Sequence, residues 1–575
     1  MRLPMAHLLC HFDGRACDKA QFAASNSHLV HCYGYFTECG WRTLATTQTL
    51  RVRMIENVLV LGAGSAGLIA ALTLQKKLPQ FHVRVLRSRE IGVIGVGEGT
   101  TPAFPNQLFH ELGINAGVFY AKAGPTWKIG IKFLWGPRGR FDYTFSQQLD
   151  AQWSDLPRPN GFYCDAQFRG VDLAAALLAH DKVWERNPNG GGPDIQGWHG
   201  FHIENQKLVD VLEACAVQAG VDIIDGTMSS AERGPEGIAA IHLDDGRRLE
   251  ADLFIDASGF RSELLGKALE EPFVSFDRSL FCDRAVVGGW ERTTEPILPY
   301  TTAETMDAGW AWQIEHEHFV NRGYVFSSQA ISDDAAAEEF KRKNPKVPKD
   351  LRVVKFRSGF HRRAWVDNVL AIGNAGGFVE PLEATALMVV CQQISNFVIN
   401  MVHCSLTPTP TIRRVYNEMV EGGWNEIRDF LALHYKLNTL FDTPFWKHCR
   451  EDTDMGGCGD LLEFYGENGP TGLARYTLPK FSVNFGIEGY LVMLVGNGAP
   501  YRARHQPGVQ ELGIWKRHLA DLAARARAGL DVRQALDLIR HPGWTWHEPN
   551  KPGTPSASNR PTLRGEKIKP ISMVT

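Results

Sequence analysis

The sequence predicts an α/β fold: a Rossmann-like nucleotide-binding domain, interrupted by an inserted β-sheet region and followed by a helical C-terminal part. Three stretches carry this. Asn57-Val58-Leu59-Val60-Leu61 is an apolar run that ends in Gly62-Ala63-Gly64-Ser65-Ala66-Gly67 and continues into Leu68-Ile69-Ala70-Ala71-Leu72, the order strand, phosphate loop, helix. Val369-Leu370-Ala371-Ile372 is a second buried strand entering a glycine-rich loop, Gly373 to Gly377, before another helix. After residue 411 the chain reads as largely helical as far as Arg540.

In the first stretch, Gly62 and Gly64 allow a tight turn and close backbone approach. Gly67 lets the helix pack on the strand, so a pyrophosphate can sit at the positive helix N-terminus. A bare G-x-G-x-x-G is also compatible with a glycine-rich structural turn; the strand before it and the helix after it favour a dinucleotide. The second strand is Val83-Arg84-Val85-Leu86, whose end is where such folds place an acid for the ribose hydroxyls. Here stand Arg87 and Ser88. Arg87 suits a 2′-phosphate or is a solvated charge, and Ser88 offers a hydroxyl to a ribose, which weakens a nicotinamide reading and leaves a flavin open. Ile91 to Pro102, including Ile94, Val96 and Gly99, is too rich in glycine for a strand interior and reads as a loop beside the cofactor.

Residues 103–135 carry helical spacing and then the alternating run Thr126-Trp127-Lys128-Ile129-Gly130-Ile131-Lys132-Phe133. Lys128 and Lys132 share one face: either both point to solvent, or one is held in a pocket beside Trp127. Phe141 to Trp198 is irregular, as in a lid or substrate-side loop region. A helix is expected around Gln206 to Ala219. Ile238–Leu243, the turn Asp244-Asp245-Gly246-Arg247 and Leu249–Ile255 read as a hairpin returning to the core. It ends in Asp256-Ala257-Ser258-Gly259, a second approach to the cofactor, so the nucleotide domain is discontinuous. Residues 280–330 supply a separate sheet containing Trp310 and Trp312, which face the same side of a strand as core or as site. Backbone amides at the helix start near Glu383-Ala384-Thr385-Ala386 face an anion. The expected division is 1–53 as an extension outside the fold, 54–410 as the nucleotide domain with an insert at about 263–355, 411–545 as a helical cap and 546–575 as a disordered tail.

The composition is that of a globular chain: 575 residues, 44% hydrophobic and 22% charged. A formal charge of -3 without long basic runs argues against nucleic acid as partner. The longest apolar stretches, such as Ala384–Cys391, fall short of the roughly 18 residues of a membrane span. Eleven cysteines, an odd count without tight pairing, suggest reduced thiols and a cytoplasmic location. No C-x-x-C spacing turns the cysteines of residues 1–53 into a metal site.

Taken together, the Gly62-Gly64-Gly67 loop, Gly95-Val96-Gly97-Glu98, Thr126-Trp127-Lys128, Trp310-x-Trp312-x-Ile314 and Phe378-Val379-Glu380-Pro381-Leu382-Glu383 resemble the flavin-dependent tryptophan halogenase family, from about residue 54 to 545. The resemblance implies an FAD-binding fold of the flavin monooxygenase type. It implies that a separate flavin reductase supplies FADH2, that oxygen and a chloride or bromide ion yield hypohalous acid, and that this acid passes through a tunnel to a small aromatic substrate. By the same resemblance Lys128 delivers the halogen, as suits an amine whose burial lowers its pKa. Glu383 removes the ring proton or steadies the positive charge. Halide rests on the amides of Thr385 and Ala386, where the family often has Ser-Thr-Gly and this chain has Ala384-Thr385-Ala386. Trp310 and Trp312 line the tunnel, with Glu315 standing where the family usually has Pro. FAD contacts carry over to the phosphate loop and to Ser88, Ile91, Ile94, Val96, Gly99, Asn374 and Leu387. A homodimer is left open.

The resemblance also bears on substrate. Free-tryptophan halogenases carry a Tyr-Tyr pair and a glutamate for the amino-acid backbone ahead of a Phe-Trp pair for the indole. Here Phe445-Trp446 keeps the ring-stacking pair, the tyrosine pair becomes His434-Tyr435, and the glutamate's place falls on Phe441. This predicts an indole or other electron-rich aromatic without the zwitterion. Two alternatives remain: an FAD-dependent aromatic hydroxylase, separable by halide-dependent product, and a non-catalytic flavin-binding sensor, which needs neither Lys128 nor Glu383.

Overall fold

The computed structural model describes residues 54–92, 97–146, 155–156, 162–165, 168–188, 192–479, 484–502 and 505–546. The N-terminal extension, the tail beyond Trp546, and Ile94 and Val96 of the cofactor loop lie outside the described residues.

The strand Asn57–Leu61 is buried along almost its whole length, as a central parallel strand covered on both faces must be. It pairs in parallel with His82–Arg87 on one side and Leu253–Asp256 on the other. Asp222–Asp225 and Val369–Ala371 extend the sheet in parallel, and Trp365–Val366 closes it antiparallel, giving six strands. The nucleotide sheet is therefore assembled from segments far apart in sequence. Helix Ser65–Lys77 covers it and packs on Asn205–Gln218 and Ala386–His403. Ala386–His403 has the length and apolarity of a membrane span, a feature the count of continuous apolar residues passes over; here it packs among core helices, including Pro410–Leu437.

The expected hairpin forms from Gly237–Leu243 and the short Arg248–Leu249, with Met228–Gly234 added on the other edge. Leu253–Asp256 leaves it for the parallel sheet, because its four residues are all buried there. The Asp256 carboxylate accepts from the backbone amides of Ser258, Leu264 and Leu265, fixing the turn that passes the phosphate loop.

The separate sheet has seven strands, in the order Arg352–Lys355, Arg284–Glu291, Phe319–Phe326, Gly309–Glu315, Tyr300–Met306, Gly130–Leu134, Phe141–Thr144. Two of these precede residue 263. Phe141–Thr144, in the stretch read as irregular, is a buried edge strand on Gly130–Leu134. Thr126–Lys128 belongs to a small third sheet with Gly200–Ile203 and Glu98–Gly99. The first two helices after residue 409 start with side-chain caps. Thr409 and Thr443 each accept from the amide three residues on, with Pro410 and Pro444 in the first turn.

Candidate active site

Gly62 adopts φ +111°, open to glycine, and a Cβ there would lie 2.6 Å from the Ala257 carbonyl oxygen. A Cβ on Gly67 would lie 1.9 Å from the Gly62 carbonyl oxygen, whereas one on Gly64 would meet nothing within 4 Å. So two glycines are demanded by the protein's own packing, and the third faces open space. The helix Ser65–Lys77 behind it has no side-chain cap and no acid in its first turn, leaving its positive end for an anion. Gly62, Ala63, Gly64, Ser65, Ala66 and Gly67 therefore fit a dinucleotide pyrophosphate. Arg87, by contrast, is held by Asp225 at 2.7 Å and by Glu213, so it is engaged by two carboxylates and not free for a 2′-phosphate. The Ser88 hydroxyl sits 2.8 Å from that of Thr227, and Ile91 is exposed.

A second anion-receptive end lies beside the first: a Cβ on Gly373 would stand 3.1 Å from the Ala66 Cβ of the phosphate loop. Asn374 lines a small cavity with Gly373, Phe378, Thr385, Ala386 and Trp424. Pro381–Glu383 forms one 3-10 turn, Ala384 takes the left-handed φ of +54°, and helix Ala386–His403 begins with no side-chain cap on Thr385. The amides of Thr385 and Ala386 thus open an uncapped helix, and Leu387 is buried in its first turn.

Lys128 and Lys132 are both buried, which overturns the reading in which both face solvent. Lys132 has partners: its amine bonds the Tyr300 hydroxyl, lies 3.5 Å from Asp181 and stands 3.5 Å from the Tyr300 ring centre. Lys128 has none. Its Nζ makes no hydrogen bond among the described residues and lies 5.0 Å from the centre of the Phe145 ring. Desolvation pushes this amine down to about 7, with the Glu383 charge opposing the shift. Gly99 ties it to the helix start: a Cβ on Gly99 would lie 3.7 Å from Lys128 Nζ and 3.5 Å from the Ala384 Cβ. His202, bonded to the Thr301 hydroxyl at 2.8 Å, is kept neutral by burial and by the Lys128 charge.

Glu383 is buried and receives His434 Nε2 at 2.7 Å. One residue on, the Tyr435 hydroxyl donates to Glu380, which also accepts from Trp310 Nε1 at 3.1 Å. Burial pushes Glu380 up to about 7. Trp312 donates to Asn321, and its ring occupies the space that any side chain at Gly323 would need. The two indoles are 6.3 Å apart. Their strand runs on through Glu315, which is buried against Arg292. Trp446 is buried, donates to the Met306 carbonyl at 2.8 Å and stacks on Tyr435, with Phe445 edge-on at 5.0 Å. Phe441 is half-buried, with the Lys343 ammonium 5.2 Å from its ring centre.

Sequence reasoning missed the two pairings His434–Glu383 and Tyr435–Glu380. The spacing of Glu380 and Glu383, and the adjacent His434 and Tyr435, were in view. Only the packing of Pro410–Leu437 on that turn couples them.

The family model described as tryptophan halogenase matches residues 57–510. The chain belongs to the tryptophan halogenase family. It is 34% identical over 441 residues to the tryptophan 7-halogenase KtzQ of Kutzneria sp. (strain 744), covering 72% of this chain and 81% of that protein. The tryptophan 7-halogenase RebH of Lentzea aerocolonigenes is 29% identical over 437 residues, 72% and 82% of the two chains. Among solved structures, MibH, a lanthipeptide tryptophan 5-halogenase, superposes with a TM-score of 0.76 at 35% identity, covering 84% of this chain and 93% of its own. BrvH, a flavin-dependent halogenase from Brevundimonas sp. BAL3, gives 0.73 at 28% identity, covering 84% and 99%. As a member of the family the chain is an FADH2-dependent halogenase with the FAD-binding Rossmann-like fold, and the hydroxylase and sensor readings are not favoured.

Proposed function

We propose that this halogenase uses FADH2 from a separate, diffusing flavin reductase, together with chloride or bromide, to halogenate an indole carried without a free amino-acid zwitterion, in the cytoplasm. The observation that carries the site assignment is Lys128: a fully buried amine, without a hydrogen-bond partner among the described residues, held close to neutrality at physiological pH. A neutral amine is a nucleophile, so Lys128 takes the electrophilic halogen and presents it to the ring. When bound, the flavin supplies the reduction of oxygen that makes halide electrophilic. The phosphate loop holds its pyrophosphate, and Thr385 and Ala386 hold halide by their amides. Glu383 accepts the proton displaced from the ring. Trp310 and Trp312, locked by Glu380 and Asn321, keep water and substrate apart from the flavin.

The substrate assignment rests on Phe441. An ammonium group there meets an aromatic ring capped by the Lys343 cation instead of a carboxylate. Burying an unpaired charge costs several kcal/mol, which disfavours free tryptophan by orders of magnitude. The solved relative named for a lanthipeptide tryptophan favours an indole within a larger molecule. The test supplies reduced FAD and bromide with equal concentrations of indole, a tryptophan-containing peptide and L-tryptophan. Halide-dependent products of the first two are expected. Preferential halogenation of L-tryptophan refutes the substrate assignment, and hydroxylated product made without halide refutes the reaction.

A further inference from the structure

His434 is bonded through both ring nitrogens. Its Nδ1 lies 2.9 Å from the Phe430 carbonyl oxygen, one turn back in the helix Pro410–Leu437. A carbonyl only accepts, so Nδ1 carries a proton. Its Nε2 lies 2.7 Å from Glu383 Oε1, and both side chains are sealed, at 0% and 1% exposure. A carboxylate oxygen and an imidazole lone pair repel at that distance, so one further proton sits between them. The ring is walled by Phe133 and Phe430, each 5.2 Å away between centres, and by Trp135, whose indole N–H anchors the His434 carbonyl at 3.0 Å. These walls leave the His434 ring and the Glu383 carboxyl it faces buried from solvent.

We infer that His434 is a positioning residue for proton removal: its imidazolium, fixed by the Phe430 carbonyl, holds Glu383 ionised and aims its other oxygen, Oε2, at the substrate ring. This rests on the reading of Glu383 as the base. In the step it serves, the ring C–H bond at the halogenated carbon breaks, its electron pair returns to the ring, and the proton passes to Glu383 Oε2. The proton then leaves to water as product departs. A buried carboxylate without a counter-charge takes up a proton instead, and Glu383 then has no basic oxygen. Among the described residues, Lys128 and Tyr143 also face the pair, each feeling the Glu383 charge.

The test compares His434→Phe and His434→Gln with the full wild-type chain, using reduced FAD, bromide and indole over a range of pH. Loss of the charge is expected to lower kcat about 100-fold or more, with KM for indole changed less than about threefold and hypohalous acid still formed at the wild-type rate. Activity of both variants should recover as pH rises, a displacement that loss of packing does not produce. His434→Gln keeps a donor to Glu383 without the charge and is close in size, so it carries the test if the Phe variant fails to fold. A raised KM with unchanged kcat, or a lowered kcat with an undisplaced pH profile, overturns the inference. Glu383→Gln separates the two layers. If it is inactive while the His434 variants are unimpaired, only this inference falls; if it is fully active, the assignment of Glu383 falls as well.

Discussion

Replacing Lys128 with methionine should make the protein more stable and inactive at once. The lysine amine falls from 10.5 to about 7 on folding because burial disfavours its charge. The unfolded chain thus holds this proton up to pH 10.5 and the folded chain only to about 7, so stability at this site rises with pH between those values. At 1.36 kcal/mol per unit, the cost of burying the lysine is about 4 kcal/mol at pH 7, about 2 kcal/mol at pH 9 and near zero above the unfolded value. Methionine matches the stem in shape and carries no charge, so Lys128→Met recovers that cost. With an unfolding entropy of about 1 kcal/mol per degree for a chain of roughly 500 residues, Tm rises by about 4 °C at pH 7 and by about half that at pH 9. Thermal unfolding at the two pH values measures this, while product formation from bromide and indole measures the loss of activity; oxidation of reduced flavin by oxygen continues. A variant less stable than wild type at pH 7, or equally stabilised at both pH values, refutes the account of a desolvated amine. Retained halogenation refutes the assignment of Lys128.

Gly67→Ala should abolish folding or flavin binding, because its methyl group meets the Gly62 carbonyl oxygen at 1.9 Å. Gly64→Ala has room within the protein and should unfold like wild type while binding FAD about tenfold or more weakly, read from flavin fluorescence on titration. Lys132→Ala removes the contacts to Tyr300 and Asp181 and should leave kcat for halogenation within a few-fold of wild type. Phe441→Glu should raise the use of L-tryptophan relative to indole in direct competition, and adding Lys343→Gln, which removes the cation over that position, should raise it further.

What the sequence made legible was whatever depends on neighbours along the chain. The strand-loop-helix of residues 57–72, the alternating tryptophans and the helical C-terminal part follow from periodicity and glycine placement, and all three stand where expected. Burial across chain segments was not legible. The run Thr126 to Phe133 alternates as one strand would, yet it divides between two sheets, Thr126–Lys128 in one and Gly130–Leu134 in the other; Lys132 meets Tyr300 and Asp181, while Lys128 Nζ has no hydrogen-bond partner among the described residues. Phe141–Thr144 looked irregular since its strand character comes from pairing with Gly130–Leu134.

The same limit accounts for His434. Beside Tyr435 it reads as a degraded tyrosine pair, and composition offers no reason to join it to a glutamate fifty-one positions away. The joining is done by the helix Pro410–Leu437, capped by Thr409 and pressed on the turn that carries both Glu380 and Glu383. Consecutive residues on that helix bond consecutive carboxylates on that turn, His434 to Glu383 and Tyr435 to Glu380. Glu380 in turn holds Trp310. A change in the C-terminal helix therefore reaches both the residue proposed as base, Glu383, and the one proposed as tunnel wall, Trp310. Under the proposed roles, replacing His434 by tyrosine would alter the electrostatics of the proton step along with the packing around Glu383.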